Sequence, residues 1–266
     1  MPKQKINDTE LYYEIHGEGY PVVMIMGLGA NIYWWTPEFL EPMKNNFQTI
    51  IFDNRDAGRS DHANEQYQIA DLATDTIKLM DMLNIDKAHI LGISMGGMIA
   101  QEVTLNYPER VNKLVLCSTN CGGAKSILPS QDLLAQLTQD RGELSQKEII
   151  EKTIPLLYTN EFIDKNPEYI ERTKEQLMKA PIQPEAYERQ IQSLLSFNTG
   201  RKLKKIEHQT LVIHGKKDIL VPPQNGQILT DLITNATLKY FEKSAHAIFS
   251  HEPEKVTTTV LDFLKE

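Results

Sequence analysis

The sequence predicts an α/β fold, a mostly parallel twisted sheet flanked by helices with a helical cap inserted into it. Three observations carry this expectation. Short apolar, β-branched runs recur at residues 22–26, 49–52, 89–91, 114–117, 211–214 and 238–241, with helical stretches between them. Several of these runs are continuously hydrophobic instead of alternating, which means burial on both faces and favours parallel strands covered by helices. Between Gly123 and Lys205 the strand pattern stops, helix signals replace it, and strands then resume.

In chain order, residues 11–15 (Leu-Tyr-Tyr-Glu-Ile), after a polar turn, suggest an antiparallel edge hairpin. Residues 22–26 read as a buried strand leading into the glycine turn Met26-Gly27-Leu28-Gly29. Residues 49–52 read as another, ending in the loop from Asp53 to Ser60, where Asp53, Arg55 and Asp56 are expected to hold one another and the turn. Residues 88–93 form a strand that runs into Gly92-Ile93-Ser94-Met95-Gly96-Gly97, and a helical pattern follows over 98–105. The next strand takes Cys117, with Cys121 in the loop beyond. Two cysteines in so long a chain favour free thiols over a disulfide or a metal site.

In the insertion, Ser145-Gln146-Lys147-Glu148 is a capping box, and Pro167 and Pro184 stand where first-turn prolines belong. Tyr187, Ile191, Leu194 and Leu195 make an apolar stripe at helical spacing. The expected division is therefore a core of residues 1–122 and 206–266 and a cap of residues 123–205.

The chain has 266 residues and a net charge of −8, with no cluster of Lys and Arg of the kind that a nucleic-acid surface or a polybasic membrane anchor needs. No run of 18 apolar residues occurs, and residues 1–8 hold no apolar stretch of the signal-peptide kind, so a cytoplasmic address is the expectation.

The chemistry centres on Ser94. A serine between glycines where a strand ends and a helix begins has the context of a nucleophile elbow, a strained turn that lifts the hydroxyl above the strand ends. A serine hydroxyl needs a base to take its proton, and the base needs an acid to fix its tautomer. Asp218 lies just past the strand at 211–214, and His246 lies past the last strand. His214 sits at a strand end, where a structural role is expected. His16, His62, His89, His208 and His251 have no serine or acid motif beside them, though His251 is close to His246 in sequence. Glu242 is a distant second choice as the acid. The strand before the cap is followed by Asn120 and no carboxylate.

The order Ser94, Asp218, His246, with the glycine turn, the Asp53–Ser60 loop and the elbow, resembles the α/β-hydrolase superfamily over nearly the whole chain. The resemblance is to its lidded branch of small-molecule esterases, enol-lactonases, carbon–carbon bond hydrolases and cofactor-free haloperoxidases. Where relatives often carry His-Gly, this chain has Met26-Gly27, and the His-Gly-Gly-Gly string of another esterase branch is missing. The resemblance implies an oxyanion hole from the backbone N–H groups of Leu28 and Met95, and an acyl-enzyme mechanism that needs neither metal nor organic cofactor. A serine at the nucleophile position sets aside the aspartate chemistry of dehalogenases and epoxide hydrolases.

The expected activity is hydrolysis of a small to medium, largely neutral carboxylic ester, a carboxylesterase-like reaction. Ile32, Tyr33, Trp34, Trp35, Met95, Ile248 and Phe249 flank the catalytic loops, and Trp34, Ile248 and Leu194 are the candidate pocket residues. An enol-lactonase or a carbon–carbon bond hydrolase would use the same triad. An acidic substrate would call for a cation such as Arg172 or Arg189 on the cap. A non-catalytic ligand receptor on the same fold is the rival from another class, and it would tolerate a damaged triad.

Overall fold

The structure is a computed structural model describing residues 3–6 and 9–266. Met1, Pro2, Asn7 and Asp8 lie outside the described residues. The strands are β1 (Lys3–Ile6), β2 (Thr9–His16), β3 (Pro21–Ile25), β4 (Gln48–Phe52), β5 (Ala88–Ile93), β6 (Val111–Cys117), β7 (Thr210–Gly215) and β8 (Ala236–Phe241). They form one sheet in the order β1-β2-β4-β3-β5-β6-β7-β8. β2 pairs antiparallel with both β1 and β4, and all other pairings are parallel, so the expected edge hairpin and parallel core are both present.

The helices are α1 (Pro37–Lys44), α2 (Ile69–Met82), α3 (Met95–Asn106), α4 (Gln131–Leu137), α5 (Gln146–Leu157), α6 (Asn160–Lys165), α7 (Pro167–Leu177), α8 (Pro184–Ser196), α9 (Gln224–Leu232), α10 (Ile248–His251) and α11 (Pro253–Lys265). Among the described residues none is long and apolar enough to cross a membrane.

Continuous hydrophobicity in the strands has the consequence expected of it. In β3, Val23 and Ile25 join one apolar layer with Ile50, Ile90, Leu114 and Val212, under residues of α2, α3 and α9. Val22 and Met24 join the other with Ile51, Leu91, Val115 and Ile213, under α1, α10 and α11. Successive side chains thus serve opposite faces, and neither face is left to water. Cys117 and Cys121 are both free and buried, and burial pushes the Cys117 thiol pKa well up.

Helices α4–α8 occupy the stretch between β6 and β7. Ser145 caps α5 through a complete capping box, and Pro167 and Pro184 open α7 and α8. The stem of the insertion is closed by the Thr199 N–H, which donates to the Cys121 carbonyl at 2.8 Å. Tyr187 and Ile191 are buried as the stripe requires, whereas Leu195 is 49% exposed.

Candidate active site

The sheet reverses direction of growth at β3. The chain moves from β3 outward to β4, then returns to lay β5 on the other side. Loops leaving the carboxyl ends of β3 and β5 therefore diverge and leave a crevice, the usual ligand position in open α/β sheets. The glycine turn follows β3 and Ser94 follows β5, so both border that crevice. The place a Cβ on Gly27 would take is 3.1 Å from the Ser94 Cβ.

Ser94 has φ 56 and ψ −121, a conformation that L residues rarely adopt and that marks the strained elbow. Neighbouring bonds hold it there. The Ser94 N–H donates to the Cys117 carbonyl at 2.9 Å, and the Thr119 hydroxyl donates to the Ser94 carbonyl at 2.7 Å. Only glycine fits at position 96, since a Cβ there would run into the backbone carbonyl oxygen of Ile25. Helix α3 begins at Met95, three residues before the helical pattern expected from sequence, which aims the positive end of the helix at the serine.

Asp218 and His246 come from two loops that touch. The Lys217 N–H donates to the Ser244 carbonyl at 2.9 Å, and a Cβ on Gly215 would strike the Ser244 and Ala245 carbonyls. This crossing brings His246 Nδ1 within 2.8 Å of Asp218 Oδ2. Asp218 Oδ1 accepts from the Leu220 and Val221 N–H groups, each at 2.9 Å. Burial pushes the Asp218 carboxyl pKa up, but His246 and His214 outweigh it and leave the group at about 2. As a standing carboxylate it can only accept, so His246 Nδ1 carries the proton and Nε2 presents a lone pair.

His214 is fully buried, and its Nε2 faces the Val221 carbonyl at 2.9 Å and Asp218 Oδ2 at 3.5 Å. Its expected structural role therefore includes support of the acid. His251 packs against Tyr158 and Phe162, with Nδ1 on the Ala247 carbonyl, and Glu242 is exposed.

Ser94 and His246 line one cavity of about 220 Å³, together with Leu28, Trp34 and Leu194. No hydrogen bond engages the Leu28 or Met95 N–H among the described residues. Ile248 is a correction: it is fully buried in the apolar layer under α1, α10 and α11, and does not line the cavity. Its neighbour Phe249 lines the cavity instead. Consecutive residues of a helix point about 100° apart, which proximity in sequence does not reveal.

Two residues escaped the sequence reading. Gln190 of α8 is fully buried; its Oε1 accepts from the Gly29 N–H at 2.8 Å, and its Nε2 donates to the Arg55 carbonyl at 3.0 Å. A glutamine on a polar helix reads as surface, and only its place beside Ile191 hinted otherwise. Arg141 lines the cavity, whereas neither cation named from sequence does. Arg189 is held by both oxygens of buried Asp56 at 2.7 and 2.8 Å, and Arg172 lies 5.9 Å from the Tyr169 ring. The charged side chains of the Asp53–Ser60 loop, expected to hold one another, instead take partners mostly outside it: Asp53 accepts from the Ile32 and Arg59 N–H groups, Arg55 pairs with Asp75 of α2, and Asp56 holds Arg189.

The family model described as alpha/beta hydrolase fold matches residues 20–253. The putative carbamate hydrolase RutD of Azorhizobium caulinodans is 28% identical, covering 100% of this chain and 99% of that protein. The 2-hydroxy-6-oxononadienedioate/2-hydroxy-6-oxononatrienedioate hydrolase 1 of Pseudomonas putida is 30% identical, covering 97% and 92%. Among solved structures, the enol-lactonase from Burkholderia xenovorans superimposes with a TM-score of 0.90 at 23% identity, over 100% of both chains, a likeness of fold. The model spans most of the chain, including both loops that carry Asp218 and His246, and the chain belongs to the α/β-hydrolase family.

Proposed function

We propose that this hydrolase cleaves a small to medium carboxylic ester or lactone through an acyl-enzyme formed on Ser94. The observation that carries the reading is the coupling of an elbow serine at φ 56 to a cavity that also holds His246, itself oriented by Asp218 at 2.8 Å. His246 Nε2 takes the Ser94 proton as Oγ attacks the carbonyl carbon. The oxyanion that forms lies between the unengaged N–H groups of Leu28 and Met95. His246 then gives the proton to the leaving oxygen, and water repeats the two steps to release the acid.

Residues 123–205 act as the cap in this reading. Leu194, Tyr187 and Ile191 close over the serine and, with Trp34 and Phe249 below, make walls that suit an apolar acyl chain. The relatives' names include a putative carbamate hydrolase, a 3-oxoadipate enol-lactonase and a 2-hydroxy-6-oxononadienedioate hydrolase, and a serine, histidine and aspartate placed as here would serve hydrolysis of an ester or a lactone alike. An intact triad weighs against a non-catalytic receptor, which would have no need of it.

The test is release of p-nitrophenol from short-chain esters, alongside a panel of lactones, by the wild type and by Ser94→Ala. The substitution should remove activity by orders of magnitude while thermal unfolding changes little. Retained activity above about one per cent would overturn the assignment, since loss of a triad nucleophile elsewhere costs about 10⁶.

A further inference from the structure

Arg141 is the one residue with a permanent formal charge among those lining the cavity over Ser94; no Asp, Glu or Lys lines it among the described residues. Its guanidinium carbon stands 3.3 Å from the Tyr187 ring centroid. Burial lowers its pKa from the usual value, and among the described residues Tyr187 is the side chain that acts on it in the opposite sense. The carboxylates of its own loop turn elsewhere: Asp140 Oδ1 accepts from the Gly142 N–H at 2.8 Å, and Glu143 is exposed.

A guanidinium withdrawn from water ordinarily has an anion beside it, as Arg189 has Asp56 and Arg55 has Asp75. Arg141 has none among the described residues and lines the cavity that holds Ser94. Its placement relative to the chemistry is also defined. The Tyr187 ring under it reaches to within 3.5 Å of where a Gly29 Cβ would lie, so a single aromatic ring separates the cation from the oxyanion turn.

We propose that Arg141 is an anion subsite, taking a carboxylate carried by the substrate several bonds from the scissile carbonyl. Resting on the ester and lactone reading above, this narrows the substrate class to half-esters or lactones of dicarboxylic acids and replaces the largely neutral substrate expected from sequence. Apolar walls such as Leu134, Leu137 and Ile150 would take the methylenes between the two ends. Stacking on Tyr187 leaves the edge of the planar guanidinium free for a two-point bond to a carboxylate, a geometry that lysine cannot reproduce.

The test compares kcat/KM for mono-p-nitrophenyl glutarate and uncharged p-nitrophenyl pentanoate in the wild type, Arg141→Met, Arg141→Gln and Arg141→Lys. The wild type should favour the charged ester. Arg141→Met and Arg141→Gln should lower the charged-to-neutral ratio roughly 10–100-fold, the worth of a charge-assisted hydrogen bond, with Arg141→Lys between. A ratio unchanged in either neutral variant that keeps the wild-type circular dichroism spectrum would overturn the subsite. Calorimetric titration of glutarate into Ser94→Ala protein, with and without Arg141→Gln, reads the same site without turnover. Binding lost with Arg141→Gln supports the proposal, and absent or equal binding overturns it. Failure to hydrolyse any ester or lactone while glutarate still binds through Arg141 would refute the esterase reading and leave the subsite standing.

Discussion

Replacing Gln190 with leucine tests whether the inserted helices help build the oxyanion hole. The wild-type side chain satisfies two part-buried backbone groups, the Gly29 N–H and the Arg55 carbonyl, from a fully buried position. Leucine has similar volume and can satisfy neither. Each backbone group stranded in this way costs about 1–3 kcal/mol, so the variant should lose about 2–6 kcal/mol, less if a water enters. The catalytic consequence is separate. Gly29 follows Leu28, whose N–H is the proposed oxyanion donor, and loss of one such donor costs about 10²–10³ in rate. Partial loosening of the turn should therefore lower kcat at least about tenfold, with kcat/KM falling in parallel because the bond matters in the transition state. Steady-state kinetics on a p-nitrophenyl ester and urea unfolding would be measured on the same preparations, beside Arg189→Met. That substitution breaks the tie to Asp56 from the adjacent position of α8 without touching the glycine turn. If Gln190→Leu lost stability but kept kcat within twofold of Arg189→Met, Gln190 would be a structural tie and the reasoning would fail.

Asp218→Asn should keep the fold and lower kcat by about 10⁴, because an amide can offer its N–H to His246 and so invert the imidazole tautomer; a loss under tenfold would disprove the role. His89 is buried, and its pKa is lowered to about 4 by burial and by Lys113. The unfolded chain binds this proton near pH 6.5 and the native one does not. Stability present above pH 6.5 is thus lost as pH falls toward 4, by about 3 kcal/mol. Urea midpoints followed across that range in wild type and His89→Gln should differ in slope, and parallel curves would contradict the assignment. Leu194→Ala enlarges the cavity on the cap side and should shift preference toward longer acyl chains while turnover of a small activated ester persists; an unchanged chain-length profile would show that the insertion does not set substrate size.

The sequence by itself determined the sheet, the run of helices inserted into it and the residues proposed as the reacting groups. Those signals are local. Burial on both faces writes continuous hydrophobicity into β3, β5 and β7, first-turn prolines announce α7 and α8, and the elbow requires glycine at 96 because a helix must start against β3 there. What only the tertiary structure decided was the orientation of individual side chains in the cavity. Ile248 and Phe249 are adjacent and both apolar, yet of the two Phe249 alone lines the cavity. Arg172, Arg189 and Arg141 were equivalent as charges on a polar insertion until long-range packing paired Arg189 with Asp56 and left Arg141 over Tyr187. Gln190 likewise acquires its function from Gly29, which lies 161 residues away in the chain. Periodicity and turn chemistry report on neighbours in sequence, whereas the choice of partner for a buried polar group depends on which distant backbone the fold brings beside it.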